Sequence, residues 1–209
     1  MQQPSGFGIF TVQDPPALPG PPFLEGWFFE SPLTPAILLV VAGIIGFGTF
    51  RAKGQLGRAR AALAAGVVLP AALFVLAAAV TTQREQLRRL ASDLVGATAA
   101  ADAQRVSGML GDTCTLTEPM TRRELGREEL LDAISSRIPG FEIAEHSVKA
   151  AQASVENDRF ATVQIKVFVN SRAGGPNNSW WRLDYEKTAE GRWVVIRIRP
   201  LAISGVEAV

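Results

Sequence analysis

The chain is poor in the residues that most often carry out chemistry: one cysteine, one histidine and one tyrosine among 209 residues. A single thiol, Cys114, excludes an internal disulfide and a cysteine-rich metal site. No Lys or Arg precedes Arg51, which is not the pattern of a secretory signal. Gly174-Gly175 is followed by neither a lysine nor a helical pattern, so it reads as a turn and not as a phosphate loop. No metal and no cofactor are expected. Charge is missing from two long stretches: residues 31–50 are twenty residues without a charged side chain, and residues 61–82 are twenty-two.

Those two stretches organise the rest. At a rise of ~1.5 Å per residue, each is long enough as a helix to cover the ~30 Å hydrocarbon core of a bilayer. The reading is a two-helix membrane hairpin over residues 31–82, with spans 31–50 and 61–82. Ala42, Gly43 and Gly46 in the first span, and nine alanines with Gly66 in the second, let helix backbones approach closely, within the hairpin or with another chain. Pro70 is expected to kink the second helix. Neither span carries an ionisable group, which argues against an ion or proton pathway.

Between the spans, residues 51–60 carry Arg51, Lys53, Arg58 and Arg60 and no acid. The excess of positive charge places this loop in the cytoplasm and both termini on the extracytoplasmic side, although Arg84, Arg88 and Arg89 follow the second span. Residues 1–30 form a proline-rich tail. Eight of the thirteen prolines lie within the first 35 residues, and Trp27-Phe28-Phe29 suits a headgroup-level anchor.

Residues 83–202 are enough for one domain with its own core, leaving a short tail over 203–209. From residue 83 onward there are seventeen basic and seventeen acidic residues, so no charge excess argues for nucleic acid. Leu87, Leu90 and Leu94 stripe one face of a helix over 83–100, with Glu85 and Arg89 one turn apart. Asp102 is placed to cap a short helix through Leu110. Residues 114–116 read as a short strand. Residues 127–137 read as a third helix with Leu130, Leu131 and Ile134 inward, stopped by Pro139-Gly140. Strands are expected over 141–156, 159–170, 179–188 and 193–202. In the second of these, Ala161, Val163, Ile165, Val167 and Val169 share one face, while Thr162, Gln164 and Lys166 share the other. Turn chemistry at Asn157-Asp158, at residues 173–177 and at Glu190-Gly191 suits antiparallel hairpins. Helices followed by a meander of strands make an α+β fold.

The phrases LVGATAAADAQRVSGMLGDTCTLTEP, GREELLDAISSRI, ENDRFATVQIKVFV and YEKTAEGRWVVIRIRP resemble a nuclear transport factor 2-like domain, of the SnoaL-like or ketosteroid-isomerase-like superfamily. The resemblance covers residues 83–201. It implies three helices under a curved, mostly antiparallel sheet, closing into a cone with an internal pocket and often dimerised through the outer sheet face. Members include isomerases, dehydratases, polyketide cyclases and non-catalytic binding modules. Isomerases of this superfamily place a tyrosine in the first helix, whereas this chain's tyrosine is Tyr185 on a late strand. The dehydratases use paired histidines, and this chain has only His146.

Two residues are candidates for catalysis. His146 lies beside Glu145, and Asp112 follows the second helix, near what the resemblance implies is the cone mouth. Trp181, Tyr185 and Trp193 are candidates for binding. Trp180 and Trp181 point to opposite faces, one for the core and one outward. Arg182, Arg192, Arg197 and Arg199 either hold an anionic partner or pair with Asp184, Glu186 and Glu190. Cys114 reads as a small buried hydrophobe, and Asn177-Asn178-Ser179 as a turn that matches the glycosylation pattern. The function expected is a membrane-anchored, non-catalytic interaction or ligand-binding module. Its partners are membrane lipid and either a second copy or a membrane protein. The alternatives are a small-molecule isomerase, lyase or cyclase, and a scaffold subunit of a membrane complex.

Overall fold

The computed structural model describes residues 14–20, 33–79 and 82–204. The chain divides into two compact units, one of Met1–Pro19 with Arg84–Val209, the other Gly20–Gln83. Trp27-Phe28-Phe29 and the outer ends of the two expected spans lie outside the described residues.

The second unit is a pair of packed helices, α1 (Leu33–Ala52) and α2 (Leu56–Ala79). Both are long and apolar enough to span a membrane. Their contact is a seam of residues three and four apart. Ala36, Leu39, Gly43, Gly46 and Phe50 line it on α1, and Ala59, Ala62, Gly66, Pro70 and Leu73 on α2. This is the spacing that keeps one helix face towards a partner. The seam closes most tightly where the glycines cross. A Cβ on Gly43 would lie 2.6 Å from the Gly66 Cα, and one on Gly66 would lie 2.9 Å from the Gly43 Cα. The small residues are therefore used inside the hairpin. Ala42, expected among them, faces out. The basic loop is shorter than expected. Arg51 ends α1, Arg58 and Arg60 begin α2, and only residues 53–55 turn, with Gly54 at φ +69°.

The first unit begins with α3 (Gln83–Ala99), whose buried face carries Leu87, Ala91 and Leu94, and Glu85 pairs with Arg89 as expected. Asp102 caps α4 (Ala103–Ser107), its Oδ1 accepting from the Arg105 N–H at 2.9 Å. The helix ends three residues before Leu110. From there the chain forms β1 (Leu110–Thr117), longer than the expected strand because it pairs in parallel with a distant partner. β2 (Glu124–Gly126) was not anticipated. It leads into α5 (Arg127–Arg137), where the Glu129 carboxylate accepts from the Gly126 N–H at 3.3 Å, one half of a capping box. A 3₁₀ turn, Ile138–Phe141, follows.

The rest is β3 (Ile143–Val155), β4 (Phe160–Ser171), β5 (Gly175–Lys187) and β6 (Trp193–Ile203). The sheet order is β2-β1-β6-β5-β4-β3, antiparallel except for β1 against β6. Register shifts in β3–β4 and β5–β6 mark bulges, which add local twist and bend. The inner face meets α3, α4 and α5 in one core. Ala161, Val163, Ile165, Val167, Leu183, Tyr185 and Val195 supply the sheet side, and Leu87, Leu94, Val106, Leu130 and Ile134 the helical side. The first unit is thus an α+β cone with a mixed sheet. Asn177-Asn178-Ser179 lies within β5, paired to β4 through residues 167–169, and is not a turn. Residues 14–19, read from the sequence as tail, belong to this unit.

Candidate functional site

A groove of about 600 Å³ opens between the α4–β1 corner and the β5–β6 turn. Its apolar wall is Leu110, Val194 and Ile196. Gly111 lines it because β1 passes so close to β6 that a Cβ there would stand 3.3 Å from both the Val194 and Ile196 methyl groups. Polar groups surround this wall: Asp112, Glu186, Glu190, Arg127 and Arg192. Most are held in place by neighbours. Arg127 donates to the Ser107 carbonyl at 3.1 Å and to its hydroxyl at 2.7 Å. Glu186 accepts from Arg159 at 2.8 Å. A hydrogen bond from Thr188, another from its own backbone, and the Arg192 charge hold the Glu190 carboxyl below the usual carboxylate range. Asp112 is exposed and, among the described residues, has no side-chain hydrogen-bond partner.

The two candidate catalytic residues do not meet. Asp112 lines the groove on β1. His146 is on β3, four strand positions away in the sheet order. There it faces inward opposite Val169, is solvent-exposed, and its Nε2 lies 3.9 Å from where a Cβ on Gly96 would sit. A general base acts with a partner within hydrogen-bond reach, and among the described residues neither Asp112 nor His146 has one.

Of the binding candidates, Tyr185 and Trp193 are core residues and Trp181 is partly buried against them. Tyr185 is buried, and desolvation pushes its phenol well above the usual range, so it stays neutral. Trp193 is buried beneath the Lys187 ammonium, 5.4 Å from the ring centroid. Trp181 packs on the inner face, its indole N–H donating to the Ser179 hydroxyl at 2.8 Å. Trp180 points to the outer face as alternation requires, but it is only 2% exposed.

Of the late-strand arginines, Arg182 and Arg199 share Asp184, while Arg192 lines the groove. Arg182 donates to Asp184 at 2.8 Å and Arg199 to its other oxygen at 3.0 Å, with Arg197 opposite Asp184 in register. Thr162 joins the same carboxylate at 3.2 Å. Cys114 is buried, and desolvation pushes its thiol up to about 11 against the opposing pull of Arg127.

Sequence reasoning found Asp112 but not Arg127, Glu186, Glu190 or Arg192 beside it. The available signal was the polar turn at residues 188–192. Joining that turn to Asp112 required the parallel β1–β6 pairing.

No family model matches the chain, and no curated protein matches it. Solved structures do. A protein of unknown function with a cystatin-like fold from Nostoc punctiforme PCC 73102 is 16% identical, covering 61% of this chain and 98% of that one, at a TM-score of 0.50. An NTF2-like protein with a cystatin-like fold from Novosphingobium aromaticivorans is 20% identical, covering 56% and 79%, at a TM-score of 0.47. A ketosteroid isomerase-like protein from Erwinia carotovora atroseptica is 22% identical, covering 52% and 87%, at a TM-score of 0.42. The first of these likenesses carries the fold alone, a cystatin-like α+β cone.

Proposed function

We propose that this chain is a membrane-anchored, non-catalytic interaction or ligand-binding module, held in the bilayer by the α1–α2 hairpin. The observation that carries the reading is the hairpin's exterior. Ile45, Val67 and Val75 are 60%, 63% and 69% exposed, among more than a dozen large apolar side chains left uncovered on the two helices. Exposed apolar area costs about 25 cal/mol per Å² in water. A continuous jacket of this kind belongs against a partner or lipid. A core helix of a soluble domain would bury these side chains, whereas among the described residues of α1 and α2 burial is concentrated on the glycine-lined seam. The positive charge around residues 51–60 favours a cytoplasmic turn with both flanks outside.

The ligand-binding half of the reading rests on the groove beside Asp112, and the non-catalytic half on the separation of Asp112 from His146. Asp112 in the groove also favours a second reading, an isomerase, lyase or cyclase. That reading requires the ligand itself to supply the partner Asp112 lacks. The test of the anchor is an alkaline carbonate wash of membranes from cells making the full chain. We expect the chain to stay with the vesicles, and its release into the supernatant would end the proposal.

A further inference from the structure

Residues 14–19 cross the outer face of the sheet, held by side chains at three points. The Asp14 Oδ1 accepts from the Lys166 ammonium and from the Trp180 indole N–H, each at 3.0 Å. Lys166 and Trp180 are register partners on β4 and β5, and the ammonium also lies 5.6 Å from the indole centroid. Four residues on, the Leu18 N–H donates to the Gln152 side-chain carbonyl on β3 at 3.2 Å. The Pro19 carbonyl then accepts from Arg84 at 3.3 Å.

The spacing shows how the segment lies. From β5 to β3 is two strand spacings, about 9.6 Å. Four extended residues reach about 13 Å. The segment therefore runs across the strands and does not add to the sheet edge. Its composition suits that path, because Pro15, Pro16 and Pro19 have no N–H to contribute to a ladder. The contacts are also selective. One carboxylate oxygen sits between an ammonium and an indole donor, an arrangement that an amide or a hydroxyl cannot reproduce with the same charge. Trp180 faces outward on this sheet and is nonetheless buried.

We propose that the outer face of β3–β5 is a docking site for an acidic, proline-rich extended peptide, and that residues 14–19 are its occupant in cis, a latch that must leave before this face can take another partner. The chemistry that recognises the occupant is an acid for Lys166 and Trp180, followed four residues later by a backbone N–H for Gln152. A tethered occupant acts at an effective concentration on the order of millimolar, so a free peptide competes poorly with it.

The test uses the full chain in detergent micelles and a fluorescent peptide of residues 12–20. Two variants open the latch without touching the sheet. Asp14→Ala removes the acid, and Leu18→Pro removes the N–H. Both are expected to bind the peptide at least about tenfold more tightly than the wild-type chain, whose site is filled. Adding Lys166→Ala to the Asp14→Ala chain, or replacing the peptide's Asp with Asn, is expected to weaken binding at least about fivefold. Equal binding by wild-type and both opened chains, or no binding by either opened chain, overturns the proposal.

Discussion

Arg84 and Pro19 close the domain around the point where the chain leaves it. The Arg84 guanidinium donates to the Pro19 carbonyl at 3.3 Å and to the Ala153 carbonyl of β3 at 2.8 Å. Pro19 is the last residue of the first unit before the hairpin, and Arg84 the first after it. The polypeptide thus departs and returns at one place. On the proposed reading, a domain on one side of a bilayer needs an even number of crossings in between, which two helices long and apolar enough to span would supply.

The consequence for topology is direct. Reporters fused before residue 14 and after Val209 are expected on the same side of the membrane, and a reporter inserted at the residue 53–55 turn on the other. By the charge argument the shared side is expected to be extracytoplasmic. Opposite signals from the two terminal fusions would break the hairpin reading, while cytoplasmic signals from both would reverse only its orientation.

The same arginine carries a stability prediction. Arg84 is buried, and its removal leaves the Ala153 carbonyl on the β3 edge without that donor. Arg84→Ala is expected to cost about 1–3 kcal/mol, the range for orphaning a buried polar group. Urea denaturation followed by near-ultraviolet circular dichroism measures it. A change below about 0.5 kcal/mol would mean the contact is dispensable, as ordinary surface substitutions are.

The glycine crossing sets a second test. A Cβ at position 43 would meet backbone, the Gly66 Cα at 2.6 Å, so neither side chain nor rotamer can give way. Gly43→Ala must push the helices apart and is expected to destabilise the pair by about 1–3 kcal/mol, as overpacking does. Gly46→Ala meets only the Ala62 methyl at 3.1 Å and is milder, and Gly48→Ala meets nothing within 4 Å and is neutral. A cysteine pair across the seam, at Ala36 and Leu73, reads the separation as the rate of thiol cross-linking. Equal rates in all three variants would refute the crossing.

What the sequence made legible follows from how local each cause is. The Asp102 cap, the Glu85–Arg89 pair and α5 depend on residues within a turn of one another, and all three stand as read. Alternation in β4 found the inner face, since burial of Ala161, Val163 and Ile165 needs only the pleat. It missed that Thr162 and Gln164 on the other face are buried as well. At Thr162 the cover is Arg182 and Asp184 from the next strand. The groove was least legible. Gly111 and Asp112 have little strand propensity of their own. They lie where the parallel β1–β6 register shifts, between the Leu110–Val195 and Thr115–Arg197 pairs, and no local pattern announces that pairing.

The Cys114 thiol gives the last prediction, with a sign that can be worked out. Its pKa is raised by burial from an ordinary 9.0 to about 11 in the folded chain. Below pH 9 the thiol is protonated in both states, and stability does not depend on it. Between about 9 and 11 the unfolded chain gives up this proton and the folded chain keeps it, so ionisation favours unfolding. Stability is therefore expected to fall by up to ~1.4 kcal/mol per pH unit across that window. Tyr185, also shifted upward by burial, adds to the loss only above the ordinary phenol pKa of about 10. Urea midpoints at pH 8 and pH 9.7 separate the two. Cys114→Ala lowers stability at both pH values by leaving a small void, but it should flatten the difference between them. In the native chain at pH 8 the thiol should also resist iodoacetamide and react once urea unfolds the domain. Rapid alkylation of the folded chain, or an unchanged pH dependence in Cys114→Ala, would place the sulfur outside the core formed by α3, α5 and the inner sheet face.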